Sequence, residues 1–171
     1  MSYVKFDENV IGYKKISKGD AEYIVTLLIP RGAMIHSAML GEQALIGFFY
    51  DHDITGCAVD HSAKLIGKHD TSRENEYSNY TKDLLRYPRY KCRAECAEVL
   101  EIEDLYTEKT EESVINRTVT NTGLIIETEY TVGERVYPHE FDTESFHSSF
   151  EPPVCAGGIH FFPEKWMAEI Y

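Results

Sequence analysis

The sequence predicts an α+β fold: a mainly antiparallel β-sheet with few short helices and a C-terminal helix packed on the sheet. Three observations carry that expectation. Apolar, β-branched runs stop at Pro or follow Gly, as at Tyr23-Ile24-Val25-Thr26-Leu27-Leu28-Ile29-Pro30. Two alternating stretches flank Thr120-Asn121-Thr122-Gly123, where Asn and Gly tolerate the positive φ of a tight turn. The closing stretch from Pro163 to the end places apolar residues at helical spacing.

Taken in order, the first strand so predicted covers 23–29 and a second covers 44–50, Ala-Leu-Ile-Gly-Phe-Phe-Tyr, after Gly41. Residues 79–87 read as a short helix capped at Ser78 and stopped by Pro88. From Cys92 to Glu103 small or apolar residues alternate with charged ones, with Cys96 out of phase, which predicts one long strand. Residues 113–119 and 124–132 form the antiparallel hairpin around the Asn-Thr-Gly turn. In the last nine residues Pro163 suits the first helical position, because its missing N–H would be unpaired there anyway, and Glu164 favours the positive end of the dipole. Trp166, Met167, Ile170 and Tyr171 then make an apolar stripe that should dock on the sheet. The stretch at about 51–91, rich in His, Tyr and charge, fits neither period and reads as an insertion or long loop within a single domain spanning 1–171.

Length and composition bound the function. A chain of 171 residues with 43% hydrophobic residues can bury roughly 70% of its unfolded surface and needs no staples. No apolar run approaches the ~18 residues of a membrane span, and the start lacks the pattern of a secretory signal. The expected compartment is therefore cytoplasmic, with the four cysteines reduced. The net charge of −12 is uneven: residues 1–97 balance, whereas residues 98–151 carry 14 acidic side chains against Lys109, Arg117 and Arg135. Such a surface repels phosphate backbones and anionic membranes, so neither nucleic acid nor membrane is an expected partner.

Several pieces of the chain, in order, resemble an uncharacterised domain of phage, giant-virus and bacterial proteins that often follows pentapeptide repeats. They are Gly12-Tyr13-Lys14-Lys15, the 24–33 stretch containing Ile29-Pro30, Lys91-Cys92-Arg93-Ala94 with Ala97-Glu98-Val99-Leu100-Glu101-Ile102, Tyr130-Thr131-Val132-Gly133, and Cys155-Ala156-Gly157-Gly158-Ile159-His160-Phe161-Phe162. The resemblance implies an α+β fold and a viral source, and brings no activity. The pentapeptide repeats themselves are absent from this chain.

Candidate chemistry is sparse. Cys155 and His160 could pair as nucleophile and base, yet neither an orienting group nor an oxyanion hole accompanies them. A zinc set of Cys92, Cys96, Cys155 and His160 fails on spacing, since positions i and i+4 of a strand stand about 13 Å apart. Asp51-His52-Asp53 reads as a solvated loop, and Glu127 with Glu129 as the wet face of the hairpin. His160, between apolar neighbours after two glycines, reads as an imidazole bonded across a turn. No metal and no cofactor are expected. The reading is a non-catalytic binding or interaction module, a viral accessory protein engaging a host factor or capturing a small molecule. The alternative is a transferase-like enzyme acting on a nucleotide-like substrate. Either would draw its ligand-binding residues from Tyr13, Lys14, Arg93, Glu129 and His160.

Overall fold

The computed structural model describes residues 3–36, 91–119, 122–141 and 157–171. The strand expected at 44–50, the helix expected at 79–87 and all but the last residue of the 51–91 insertion lie outside those residues, as do Asp51-His52-Asp53 and Cys155. Among the described residues the chain forms β1 (Tyr3–Lys5), β2 (Val10–Lys18), β3 (Ala21–Ile29), β4 (Met34–His36), β5 (Cys92–Ala94), β6 (Ala97–Asp104), β7 (Ser113–Val119), β8 (Ile125–Thr131), β9 (Arg135–Val136), β10 (Ile159–Phe161) and one helix, α1 (Lys165–Ile170). The architecture is mainly antiparallel β with one short C-terminal helix, the α+β class expected.

The strands make a first sheet in the order β1-β4-β5-β10, a second in the order β2-β3-β6-β9, and a separate hairpin β7-β8. Every ladder is antiparallel. β3 is central in its sheet and apolar on both faces, and alternation sends its residues two ways. Val25, Leu27 and Ile29 enter the main core, where they meet Ile35, Ala94 and Phe161 of the first sheet. Ile24 points the other way, into a smaller cluster with Phe162, Met167 and Ala168. Each fully buried Ile, Leu or Phe contributes about 1.5–3 kcal/mol of transfer free energy, so these two clusters hold the sheets and the helix together.

Two junctions between the sheets, among the described residues, show how they are joined. Tyr13 on β2 and Phe162 just after β10 exchange both backbone hydrogen bonds, at 2.8 and 2.7 Å. One residue earlier Gly12 lies under the ring of Phe161, and a Cβ there would stand 2.9 Å or less from three ring atoms. Glycine is what lets the sheets approach so closely.

The second junction corrects the long strand expected over 92–103. It is two strands, β5 and β6, in different sheets. Glu95 ends the first: its N–H donates to Met34 O at 3.1 Å and its Oε1 accepts from the Met34 N–H at 2.8 Å. With both backbone groups of Met34 held by one residue, the ladder stops and the chain turns toward the second sheet. The out-of-phase Cys96 is the trace of this break, since Cys96 and Ala97 are consecutive and both buried. A register shift opposite Thr26/Leu27 then places Leu100 in excess on β6, which resets the phase so that Val99 and Ile102 both face the core.

The terminal helix is shorter than the sequence predicts. It begins at Lys165 with Glu164 as an extended N-cap, leaving Pro163 outside. The reason is local: Phe162 is still bridged to Tyr13, so helical geometry cannot start until the chain has left that ladder. The apolar face is also rotated. Met167 and Ala168 are buried, whereas Tyr171 is exposed with its ring 5.0 Å from that of Phe162. Lys15 fixes the far end by donating from Nζ to the Glu169 carbonyl at 3.2 Å, and Lys165 pairs with Glu103 at 2.6 Å. The expected hairpin is present, anchored by the buried cross-strand pair Val114 and Tyr130. Among the described residues no helix is long and apolar enough to cross a membrane.

Candidate functional site

Register in the first sheet assembles a row of polar residues. His36, Arg93 and His160 are direct cross-strand partners on β4, β5 and β10, and direct partners project from the same face. The adjacent row, Ile35, Ala94 and Ile159, faces the core. His36 and Arg93 are nonetheless buried, and His160 is half-buried.

Burying a guanidinium is costly unless its donors are used. Arg93 donates from Nη1 to the Gly157 carbonyl at 2.8 Å and from Nη2 to His36 Nδ1 at 2.9 Å. Because Arg only donates, His36 Nδ1 must present its lone pair, which puts the proton of the neutral ring on Nε2. The glycine pair makes this approach possible. A Cβ on Gly157 would lie 2.6 Å from the Glu140 carbonyl oxygen, and one on Gly158, where φ is 148°, would lie 2.9 Å from Arg93 Cβ. Gly157 and Gly158 thus serve a backbone that closes over Arg93. Arg93 makes a hydrogen bond across this turn, to the Gly157 carbonyl.

Tyr13 and Lys14, adjacent on β2, face opposite ways. Tyr13 packs into the helix-side cluster beside Phe162. Lys14 shares its face with Val10, Gly12 and Ile16 and sits across from the fully buried Val25. Removal from water, reinforced by the nearby Lys91 ammonium, brings the Lys14 amine down to about 8 from its ordinary 10.5. Lys91 itself donates to the Tyr171 hydroxyl at 3.1 Å and lies 4.9 Å from that ring's centre. Glu129 stands exposed on β8 opposite Ile115, on the hairpin rather than on either four-stranded sheet. The row therefore joins Arg93 to His160 and leaves Glu129 elsewhere.

Cys92 and Cys96 are buried and are not joined in a disulfide. Desolvation pushes both upward, which keeps them as thiols rather than reactive thiolates. Among the described residues no three His, Cys, Asp or Glu side chains converge as a metal site. His36 was missed by sequence reasoning. Its only trace is one polar letter in the apolar stretch Ala33-Met34-Ile35-His36, a weak signal without knowledge of the register.

Residues 69–168 match the model of a protein family described as a family of unknown function (DUF5758). No curated protein matches the chain. No solved structure matches it either.

Proposed function

The chain belongs to the DUF5758 family, and from that premise we propose that it is a non-catalytic interaction module, a viral accessory protein that engages a protein of the host cytoplasm. The observation that carries this reading is the outer face of the β7–β8 hairpin. Ile115, Arg117 and Val119 stand opposite Glu129, Glu127 and Ile125 on that face. Val119 is 63% exposed, Ile125 48% and neighbouring Leu124 56%. Apolar side chains left this exposed at the distal end of a hairpin cost solubility. Glu127, paired with Arg117 at 3.7 Å, and Glu129 border them, so the partner best suited is a protein with an apolar centre and a polar rim that offers a cation to Glu129.

The dispersal of the other candidates supports binding over chemistry. Tyr13 and Lys14 occupy opposite faces of β2, and the Arg93 guanidinium is committed to Gly157 and His36. The test is site-specific photo-crosslinking in an extract of the cells in which the protein acts. A crosslinker at Val119 should give a discrete protein adduct that Ile125→Lys abolishes without changing the Tm. The control is Leu100, exposed on β6. Equal labelling from both positions would remove the hairpin as the binding surface.

A further inference from the structure

We propose that the outer face of the β7–β8 hairpin is self-complementary and is covered by a second copy of this chain, about a two-fold axis that runs parallel to the strands. This pairing rests on the reading of that face as a docking surface and sets its regulation: a copy seated there withholds the face from any other protein.

Register dictates the symmetry. Ile115, Arg117 and Val119 stand level with Glu129, Glu127 and Ile125 across the ladder, and alternation puts all six on the face opposite the buried Val114 and Tyr130. A two-fold axis parallel to the strands lays β7 of one copy over β8 of the other and keeps every level. Arg117 then meets the other copy's Glu127, and Val119 meets its Ile125, each contact occurring twice as an isologous interface demands. An axis across the strands instead lays β8 over β8 and, wherever the strands overlap along their length, sets carboxylate over carboxylate. Opposite charges at one level of the ladder therefore select the parallel axis, and like charges reject the crossed one.

Within one copy Arg117 Nε lies 3.7 Å from Glu127 Oε1, and both side chains are exposed. A guanidinium carries five donors, so this wide pair can take a second carboxylate, and the axis brings two such pairs together as four alternating charges. Toward the turn the exposed Val119 and Ile125 lose water against the same residues of the other copy. Face-to-face sheets stack about 10 Å apart with strands within about 30° of parallel, which keeps these levels matched over a short hairpin. The seven paired levels span roughly 20 Å at ~3.3 Å per residue, so the face is smaller than the roughly 800 Å² per partner of a standard interface. The pair is accordingly weak and exchangeable, as a face that must also be released to another protein requires.

The experiment is sedimentation of the full chain from about 10 to 500 μM, the range suited to a small interface. The parent's average mass should climb from one chain toward two. Arg117→Glu and Glu127→Arg, each alone, should weaken self-association at least about tenfold, because each sets like charges over one another. Mixed in equal amounts they should associate again, with native mass spectrometry showing one copy of each, since the introduced carboxylate of one then faces the introduced guanidinium of the other. Val119→Lys, which leaves the charge pair intact, should also weaken association with an unchanged Tm. A parent that stays monomeric throughout, a mixture that associates no better than its components, or a Val119→Lys variant that associates like the parent would overturn the proposal. Crosslinking from Val119 separates this outcome from that of the host reading. A host adduct beside a monomeric parent overturns the self-pairing alone, and an adduct of this chain only with itself supports the self-pairing and overturns the host partner.

Discussion

Replacing Lys14 by Met keeps an unbranched stem on the core-facing side of β2 and removes the ammonium that the fold holds away from water. The amine's value falls from 10.5 to about 8 on folding. At about 1.36 kcal/mol per unit the charged form costs roughly 3 kcal/mol, reduced to about 2–3 by the solvent that still reaches the partly exposed chain. The sign follows from proton counting. Between pH 8 and 10.5 the unfolded chain keeps the Lys14 proton that the folded chain has released, so stability rises with pH across that window. Below pH 8 both states are charged and the full cost applies. Above 10.5 neither is, and the cost is gone. Lys14→Met should therefore be about 2–3 kcal/mol more stable than the parent at pH 7, with the advantage shrinking toward zero by about pH 10.5. Urea denaturation of both proteins at pH 7, 8, 9 and 10 measures this. The upward-shifted Cys92 thiol and Tyr130 phenol also titrate on unfolding in alkali, but they are common to both proteins and cancel in the difference. A difference that is absent at pH 7, or constant across the series, would refute the placement of this ammonium against the core.

Two further substitutions probe the junctions. Gly12→Ala should lower stability by about 1–3 kcal/mol through overpacking, because the new methyl meets the Phe161 ring, itself fixed in the core. A denaturation midpoint equal to the parent's would show that the sheets have room to part. Met167→Ala should cost about 2–5 kcal/mol by emptying the cluster between α1 and β3; calorimetry showing no loss would mean that the helix is not docked through that side chain.

Much of the architecture was legible because it depends on neighbours in sequence. β3 announced itself by β-branched density ending at Pro30, and the β7–β8 hairpin by two alternating runs around an Asn-Thr-Gly turn. The break at Glu95 was visible only as the phase error at Cys96. Its cause, a carboxylate holding the Met34 backbone, spans 61 residues. The helix start was misplaced for a similar reason. Pro163 obeys local capping preference, but the bridge from Phe162 to Tyr13 holds the chain extended until the residues just before Lys165.

The candidate sites were harder still, because register rather than composition creates them. Arg93 and His160 were singled out separately, but only the pairing of β4, β5 and β10 puts them in one row with His36. Once they are aligned, the two glycines after Cys155 take on a physical role. They keep side chains out of the space where the chain passes Glu140 and Arg93, so that Gly157 can offer its carbonyl to a buried guanidinium. Strand alternation works in the opposite sense on β2, where it separates two neighbouring candidates. Tyr13 goes to the helix side and becomes packing, while Lys14 goes to the core side, where removal from water lowers its amine. The same strand thus turns one of two adjacent candidates into helix-side packing and sets the stem of the other against the core. That division follows from the two-residue period of a strand flanked by apolar layers, and it becomes visible only when both layers are in place.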